Sequence, residues 1–462
     1  MNVPALPIVG WLRTYQRADL GPDIVAGLTT AVMLVPQAMG YALLAGLPPI
    51  HGLYASVAPI LLYAILGTSR HLAVGPVAMD SILVAGSVGL IAKLGTENYI
   101  VIAAALGVMV GVVQAGLGFL RAGFLVNFLS RPVVAGFTAA AALIIAASQL
   151  GHLLGISLPR THHVHRVVWE ALRSISDWSW PTLAIGAASI VALVVSKKRW
   201  PRLPAALFVV IVATVVVWSL GLSTRGVSIV GEVPAGLPGF HIPVVDASIL
   251  TQLIPAAATI ALVSFMEAIS VGRTFAQQYR YDIYPNRELI ALGFANMVGG
   301  TTGGYPIAGG FSRTAVNVRA GARTQVAALI TCAVVILTLL LLTQAFFFLP
   351  KAALSAIIVA AVAGLIDIKG AAEVYRIKRT DFYRLVLTFF ATLSLGIQWG
   401  ILVGIGASVL LFLVRTTRPH FAVLGRIPES QTYLNAARHP HAETLPGIIL
   451  VRIDAQFYFG NV

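Results

Sequence analysis

Apolar runs recur along this chain, many of them long enough to cross a hydrocarbon layer about 30 Å thick, which takes about 20 helical residues. Few soluble folds survive that constraint. Hydrophobic residues make up 58% of the 462 and charged residues only 10%, against about 25% charged in an ordinary soluble domain. Too little polar side chain remains to face water on every side, so the sequence predicts an all-α integral membrane protein. Lys and Arg outnumber Asp and Glu by 31 to 17, a net charge of +14. Such an excess can mark a nucleic-acid binder, but here it follows the loops, and no nucleic-acid partner is expected. The one cysteine, Cys332, lies in an apolar run and has no partner for an internal disulfide. The N-terminus lacks the short apolar core and small-residue cleavage site of a secretory signal.

Apolar stretches and their breakers give fourteen segments: 23–46, 50–67, 73–94, 98–120, 132–154, 181–196 and 203–220, then 253–276, 288–300, 305–318, 325–349, 352–366, 381–398 and 401–414. With the N-terminus inside, the inner loops carry Arg13, Arg17, Arg70, Arg121, Arg131, the cluster Lys197, Lys198, Arg199 and Arg202, and later Arg273, Arg280, Arg287, Arg319, Arg323, Lys369, Arg376, Lys378, Arg379, Arg384, Arg415 and Arg418. The outer loops hold only Lys93, Arg160, Arg166, Arg173, Arg225 and Lys351. The asymmetry places both termini in the cytoplasm. A shift of 230 positions lays Gln37 on Glu267 and Pro76 on Pro306. Seven segments per half is odd, so two such halves insert with opposite orientation, the inverted repeat of many secondary transporters. The expected divisions are a cytoplasmic segment 1–22, a first repeat 23–220, an extracellular connection 221–252, a second repeat 253–415 and a linker with further sequence 416–462. Beyond Arg418 the tail reads as polar until two short strands, Ile448–Ile453 and Phe457–Phe459.

Two segments carry Gly and Pro where helix should run: Ala73-Val74-Gly75-Pro76-Val77-Ala78-Met79-Asp80-Ser81 in the third, and Gly303-Gly304-Tyr305-Pro306-Ile307-Ala308-Gly309-Gly310-Phe311-Ser312-Arg313 in the tenth. Both oppose helix, so each segment is expected to enter extended and turn helical near its middle. A half-helix beginning there offers unpaired N–H groups and the positive end of its dipole, and two facing each other make an anion site. Gly310, Phe311, Ser312 and Arg313 on one side, and Ala78 and Met79 on the other, are the candidate ligands. An Arg at membrane depth faces a partner or a water-filled cavity. Arg313 therefore either supplies positive charge to the anion, the preferred reading, or pairs permanently with Glu267. Glu267 in turn either carries a proton with the anion or serves as a fixed counter-ion. Gln37 stands at the matching point of the first repeat, and Tyr41, one turn on, adds a hydroxyl or merely packs. Asp80 suits a helix N-cap better than an anion pathway.

Other motifs carry less. Gly299–Gly304 lacks the Gly-Lys-Ser/Thr ending of a phosphate loop. His162, His163 and His165 have no acidic or Cys companion, so no metal and no cofactor is expected. No nucleophile, His and acid converge at one depth, and the chain does not read as an enzyme.

The stretch Val35-Pro36-Gln37-Ala38-Met39-Gly40-Tyr41-Ala42-Leu43-Leu44-Ala45-Gly46-Leu47-Pro48-Pro49, then Gly52-Leu53-Tyr54, Gly67-Thr68-Ser69-Arg70-His71, Val74-Gly75-Pro76, Glu267-Ala268-Ile269-Ser270, Asn296 and Ser312-Arg313-Thr314-Ala315-Val316-Asn317 resembles the SulP family of sulfate permeases and anion exchangers. The tail Arg452-Ile453-Asp454 with Phe457–Asn461 is similar to the opening of a small α/β STAS domain, within which the chain reads as cut. The resemblance implies a seven-plus-seven repeat split into core and gate domains, an elevator-like movement and a homodimer in a bacterial inner or plasma membrane. It implies an anion held between the third and tenth segments at Ser312 and Arg313. Glu267 followed by Gly-Arg-Thr is closer to proton-coupled carriers than to sodium-coupled bicarbonate carriers, which bear Asp there. The implied activity is proton-linked uptake, sulfate ahead of C4-dicarboxylates, with sodium coupling disfavoured. Bicarbonate or chloride transport, or an anion channel on the same scaffold, is the alternative.

Overall fold

The computed structural model describes residues 7–124, 131–158, 163–200, 204–396, 399–400, 402–404, 406–408, 410, 421–428 and 430–453. Met1–Ile401 form one compact unit and Leu402–Val462 a second.

The first unit is helical. Its helices include α1 (Arg17–Leu44), α2 (Ala58–Leu66), α3 (Ala78–Val88), α4 (Glu97–Phe119), α5 (Arg131–Ser148), α6 (Trp180–Arg199) and α7 (Ala205–Ser219), then α8 (Ala247–Gln278), α9 (Pro285–Thr301), α10 (Phe311–Arg319), α11 (Val326–Leu337), α12 (Lys351–Ala363) and α13 (Arg379–Leu395). Two-residue strands β1 (Val74–Gly75) and β2 (Ala308–Gly309) precede α3 and α10. Among the described residues, six helices or helix pairs are long and apolar enough to cross a membrane, and four shorter apolar helices accompany them. The order of elements recurs along the chain: α1 begins at 17 and α8 at 247, a difference of 230, and each half then meets a two-residue strand followed by a short helix.

The eleventh segment departs from the uninterrupted helix expected over 325–349. Helix α11 ends at Leu337 and gives way to a wider π turn, Thr338–Leu342, and a tighter 3-10 turn, Thr343–Phe346. Leu339 is fully buried there while Leu341 is exposed. The third segment is helical only over Ala78–Val88, because the residues ahead of it are held extended.

Glycine sets the close contact of α4 with α9. A Cβ added to Gly111 of α4 would lie 2.5 Å from the Gly293 carbonyl of α9, and one added to Gly293 would lie 2.6 Å from the Ala115 amide. Small residues that let backbones meet replace the hydrophobic drive that helices lack in lipid. A Gly293→Leu variant is expected to separate α4 from α9. The check is melting in detergent, which should drop by roughly 5 °C, from an overpacking cost of about 1–3 kcal/mol.

Beyond these, Leu34, Val35, Ala38 and Met39 of α1 are buried together with Ile185 and Leu193 of α6, Val209, Ala213 and Val217 of α7, and Ala353 and Ile357 of α12. Thus α1 has one face on the broken segments and another on this second group of helices.

The second unit corrects the expectation of two strands. It holds a three-stranded antiparallel sheet in the order β4-β3-β5, with β3 (Phe421–Arg426) central, β4 (Tyr433–Asn435) and β5 (Leu450–Ile453). Strands β3 and β4 fall in a stretch read as polar tail; the short apolar run Phe421–Leu424 was the local signal. The expected strand Phe457–Phe459, the family-like Asp454 and Phe457–Asn461, half of segment 401–414, and Arg160, His162, Arg202, Arg415 and Arg418 lie outside the described residues.

Candidate anion-binding site

The site is built on the two interrupted segments. Strands β1 and β2 pair antiparallel, Val74 opposite Gly309 and Gly75 opposite Ala308. Each strand ends within three residues of a helix start, so α3 and α10 begin beside one another and run away from the shared crossing. At each start the first N–H groups have no helical acceptor. Those of Ala78, Met79 and Asp80 on α3, and of Phe311, Ser312 and Arg313 on α10, make no hydrogen bond in the protein. Six donors and two positive dipole ends thus converge at one place, an arrangement suited to an anion.

Arg313 is 2% exposed. It does not pair with Glu267. Its Nη1 donates to the Pro76 carbonyl at 2.9 Å, and Nε and Nη2 donate to the Ala73 carbonyl at 3.4 Å each. Among the described residues the ion pairs are Arg323–Asp19, Lys378–Asp381 and Arg384–Asp381, all elsewhere. The guanidinium therefore clamps the extended stretch of the third segment to α10. Three of its five N–H groups are spent on carbonyls, which do not neutralise it. Its charge stays available to the site.

The neighbours of Arg313 extend the clamp. The Ala73 amide donates to Thr314 Oγ1 at 3.0 Å, the Gly310 amide donates to the Ala73 carbonyl at 3.2 Å, and Asn317 Nδ2 donates to the His71 carbonyl at 3.0 Å. Gly75 has φ +149°, and a Cβ there would sit 3.3 Å from Arg313 Nη2; one on Gly310 would sit equally close. Both glycines make room for the guanidinium. Gly75→Ala should cost roughly 1–3 kcal/mol in backbone strain and displace Arg313. A thermal-shift assay run with and without anion checks this: both the melting temperature and the anion-induced stabilisation should fall.

Glu267 lies midway along α8, which packs against β2, α3 and α10. It is half-buried, makes no hydrogen bond or ion pair, and is within electrostatic reach of Arg313 and Asp80. Tyr41 is buried and shares that reach to Arg313. It packs with Ala78 against Ala142 and Ile145 of α5 and Ile358 and Val362 of α12, while its hydroxyl makes no hydrogen bond. Gln37, also buried, lies one turn earlier on the same face of α1, its amide without a partner in the protein. Met79 is buried, Phe311 and Ser312 are exposed, and the Phe311 ring lies 6.2 Å from that of Phe275. Arg313, Glu267, Tyr41 and the two helix starts are thus brought together, and Gln37 shares the face of Tyr41.

Asp80 corrects an expectation. The N-cap of α3 is Val77, whose extended backbone opens the helix, and Asp80 is its third residue. It is fully buried, and neither carboxyl oxygen has a hydrogen-bond partner. It caps nothing.

Three residues outside the candidate set support the site. Asn296 of α9 accepts from the Ile307 amide at 2.7 Å and donates to the Ile307 carbonyl at 3.1 Å and to Gln114 Oε1 at 2.9 Å. Gln114 of α4 donates in turn to Ser264 Oγ and the Ala261 carbonyl of α8. Asn296 was visible only as part of the family resemblance; Gln114 had no local signal beyond a polar residue inside an apolar helix. Glu288, fully buried, accepts from the Tyr63 hydroxyl and from the Thr68 and Ser69 amides, holding the turn before β1. An acid opening an apolar segment was its signal.

Broken helices meeting at a buried cation, inside a bundle of membrane-length apolar helices, define a multi-pass membrane transporter. Residues 20–388 match the sulfate permease family. The chain is 39% identical over 465 residues to sulfate transporter 4.1, chloroplastic, of Arabidopsis thaliana, covering 99% of this chain and 67% of that one. It is 37% identical over 466 residues to a probable sulfate transporter of Mycobacterium tuberculosis, covering 99% and 83%. Its fold superposes on murine solute carrier 26 family member A9, an anion transporter in the inward-facing state, with TM-score 0.89 and 28% identity over 99% of this chain and 78% of that one. The chain belongs to the sulfate permease family.

Proposed function

We propose that this protein is a proton-coupled carrier of small divalent oxyanions, with sulfate as its first substrate and C4-dicarboxylates second. The observation that carries the reading is Glu267: a half-buried acid with no ion pair or hydrogen bond, on a helix packed against both half-helix starts, within reach of Arg313. A fixed counter-ion would be in contact with its cation. A carboxyl that stands free beside the anion is placed to take a proton when the anion's charge arrives. Six unpaired N–H groups and one guanidinium supply donors for a tetrahedral dianion. The names of the plant and mycobacterial relatives support sulfate.

In this reading the chain has fourteen segments in a seven-plus-seven inverted repeat, supported by the recurrence of long helix, two-residue strand and half-helix. The group of α1–α4 with α8–α11 moves as a body against α5–α7, α12 and α13, elevator fashion, in a homodimer whose two termini are cytoplasmic. The sheet of residues 421–453 opens a STAS-like regulatory domain.

Proteoliposomes test this. A proton gradient should drive accumulation of labelled sulfate above its equilibrium value, and uptake should saturate with concentration. Uptake indifferent to the gradient would remove proton coupling, and unsaturable currents would make the protein a channel.

A further inference from the structure

We propose that Asp80 is a second proton-carrying group of the anion site, loaded and unloaded together with Glu267, so that each divalent anion moves with two protons. This rests on the carrier function proposed above and adds its stoichiometry.

The argument begins with position. Asp80 is the third residue of α3, so its own amide is one of the three unpaired donors at that helix start. Its carboxyl is fully buried with both oxygens unpartnered, against the rule that buried polar groups find a partner. The next residue, Ser81, spends its hydroxyl on the Val77 carbonyl at 2.7 Å and lies 3.2 Å from the Tyr305 hydroxyl. A structural carboxyl would collect such donors, as Asp23 does from Arg323 and Thr324 and Glu288 does from Thr68. Asp80 collects none.

The groups around it are few. Elements packed against α3 offer Glu267 from α8 and Tyr41 from α1; Tyr305 reaches it from the stretch ahead of β2, and Arg313 stands beyond on α10. Helix α4 brings Tyr99, whose hydroxyl is committed to the Ala45 carbonyl, and an exposed Glu97. Residues 132–148 of α5 carry no titratable group. No cation contacts Asp80, so nothing locks it in the ionised form. Burying a carboxylate without a partner is costly, and with the site empty the positive end of α3 offsets part of that cost. An arriving dianion takes over that helix end and brings like charge within a turn of Asp80, which favours proton uptake. When the anion leaves, the proton returns to water on the far side. Glu267 undergoes the same cycle, and the two protons balance the two charges of the anion.

Accumulation of labelled sulfate in proteoliposomes held at zero membrane potential reads the ratio directly. Two protons per anion give about 100-fold accumulation for each pH unit of gradient, and one proton gives about tenfold. Wild-type protein is expected at about 100-fold and Asp80→Asn at about tenfold, with uptake by the variant now opposed by an inside-negative potential. Glu267→Gln, which leaves Asp80 in place, is expected at about tenfold as well, and serves if Asp80→Asn does not fold. An Asp80→Asn protein with the wild-type ratio, or a wild-type ratio of one, overturns the role of Asp80 and leaves proton coupling standing. Wild-type uptake that ignores the gradient overturns both.

Discussion

Replacing Arg313 by alanine is expected to weaken anion binding by about 100-fold or more, the scale set by truncating a buried, hydrogen-bonded charge. Two losses combine. The site loses its one full positive charge, leaving helix dipoles alone to face a dianion. The Pro76 carbonyl loses the guanidinium donor and the Ala73 carbonyl keeps only the Gly310 amide, which loosens the extended stretch that positions α3. Arg313→Lys should recover only part of the affinity. An ammonium cannot hold two carbonyls in the plane of a guanidinium and still face the anion. Equilibrium binding of labelled sulfate to detergent-solubilised protein checks both variants. Wild-type affinity in the alanine variant would remove Arg313 from the site.

The second large effect is expected at Asn296, which never touches the anion in this account. Asn296→Leu keeps the branched shape but strands the Ile307 amide, the Ile307 carbonyl and Gln114 Oε1, all inside the protein. Each stranded group costs about 1–3 kcal/mol, partly relieved by rearrangement, so a loss of about 3 kcal/mol or more is expected. Stability and function should fall together, because Ile307 immediately precedes β2 and fixes where α10 begins. Melting in detergent and sulfate binding should drop in parallel. A variant that melts normally and binds sulfate normally would show that the network does not position the tenth segment.

These two residues mark where sequence reasoning reaches and where it stops. The interruptions themselves were legible. Gly75-Pro76 and Gly309-Gly310 cannot continue a helix, and an Arg following one of them had to face something other than lipid. What Arg313 grips was not legible, since its partners are backbone carbonyls more than 230 residues away, and a carbonyl looks the same at every position. Asp80 was misjudged for a related reason. Its place near a helix start suggests a cap, yet whether it is the cap or the third residue depends on where the extended backbone ends, here at Val77. The Gln114–Asn296 network joins α4, α8, α9 and the tenth segment. No local pattern announces a contact set gathered from four segments, each apolar enough to be read as plain bilayer helix. The strands β3 and β4 escaped because each is short and bounded by polar residues, so its apolar run is brief.

The most direct measurement is a structure of the protein with selenate, a heavier sulfate analogue, located by its anomalous signal. The account predicts one strong peak between the starts of α3 and α10, within hydrogen-bond distance of the Met79 and Ser312 amides, and its loss in the Arg313→Ala variant. A peak at another place in the bundle, or an undiminished peak in that variant, would contradict the account.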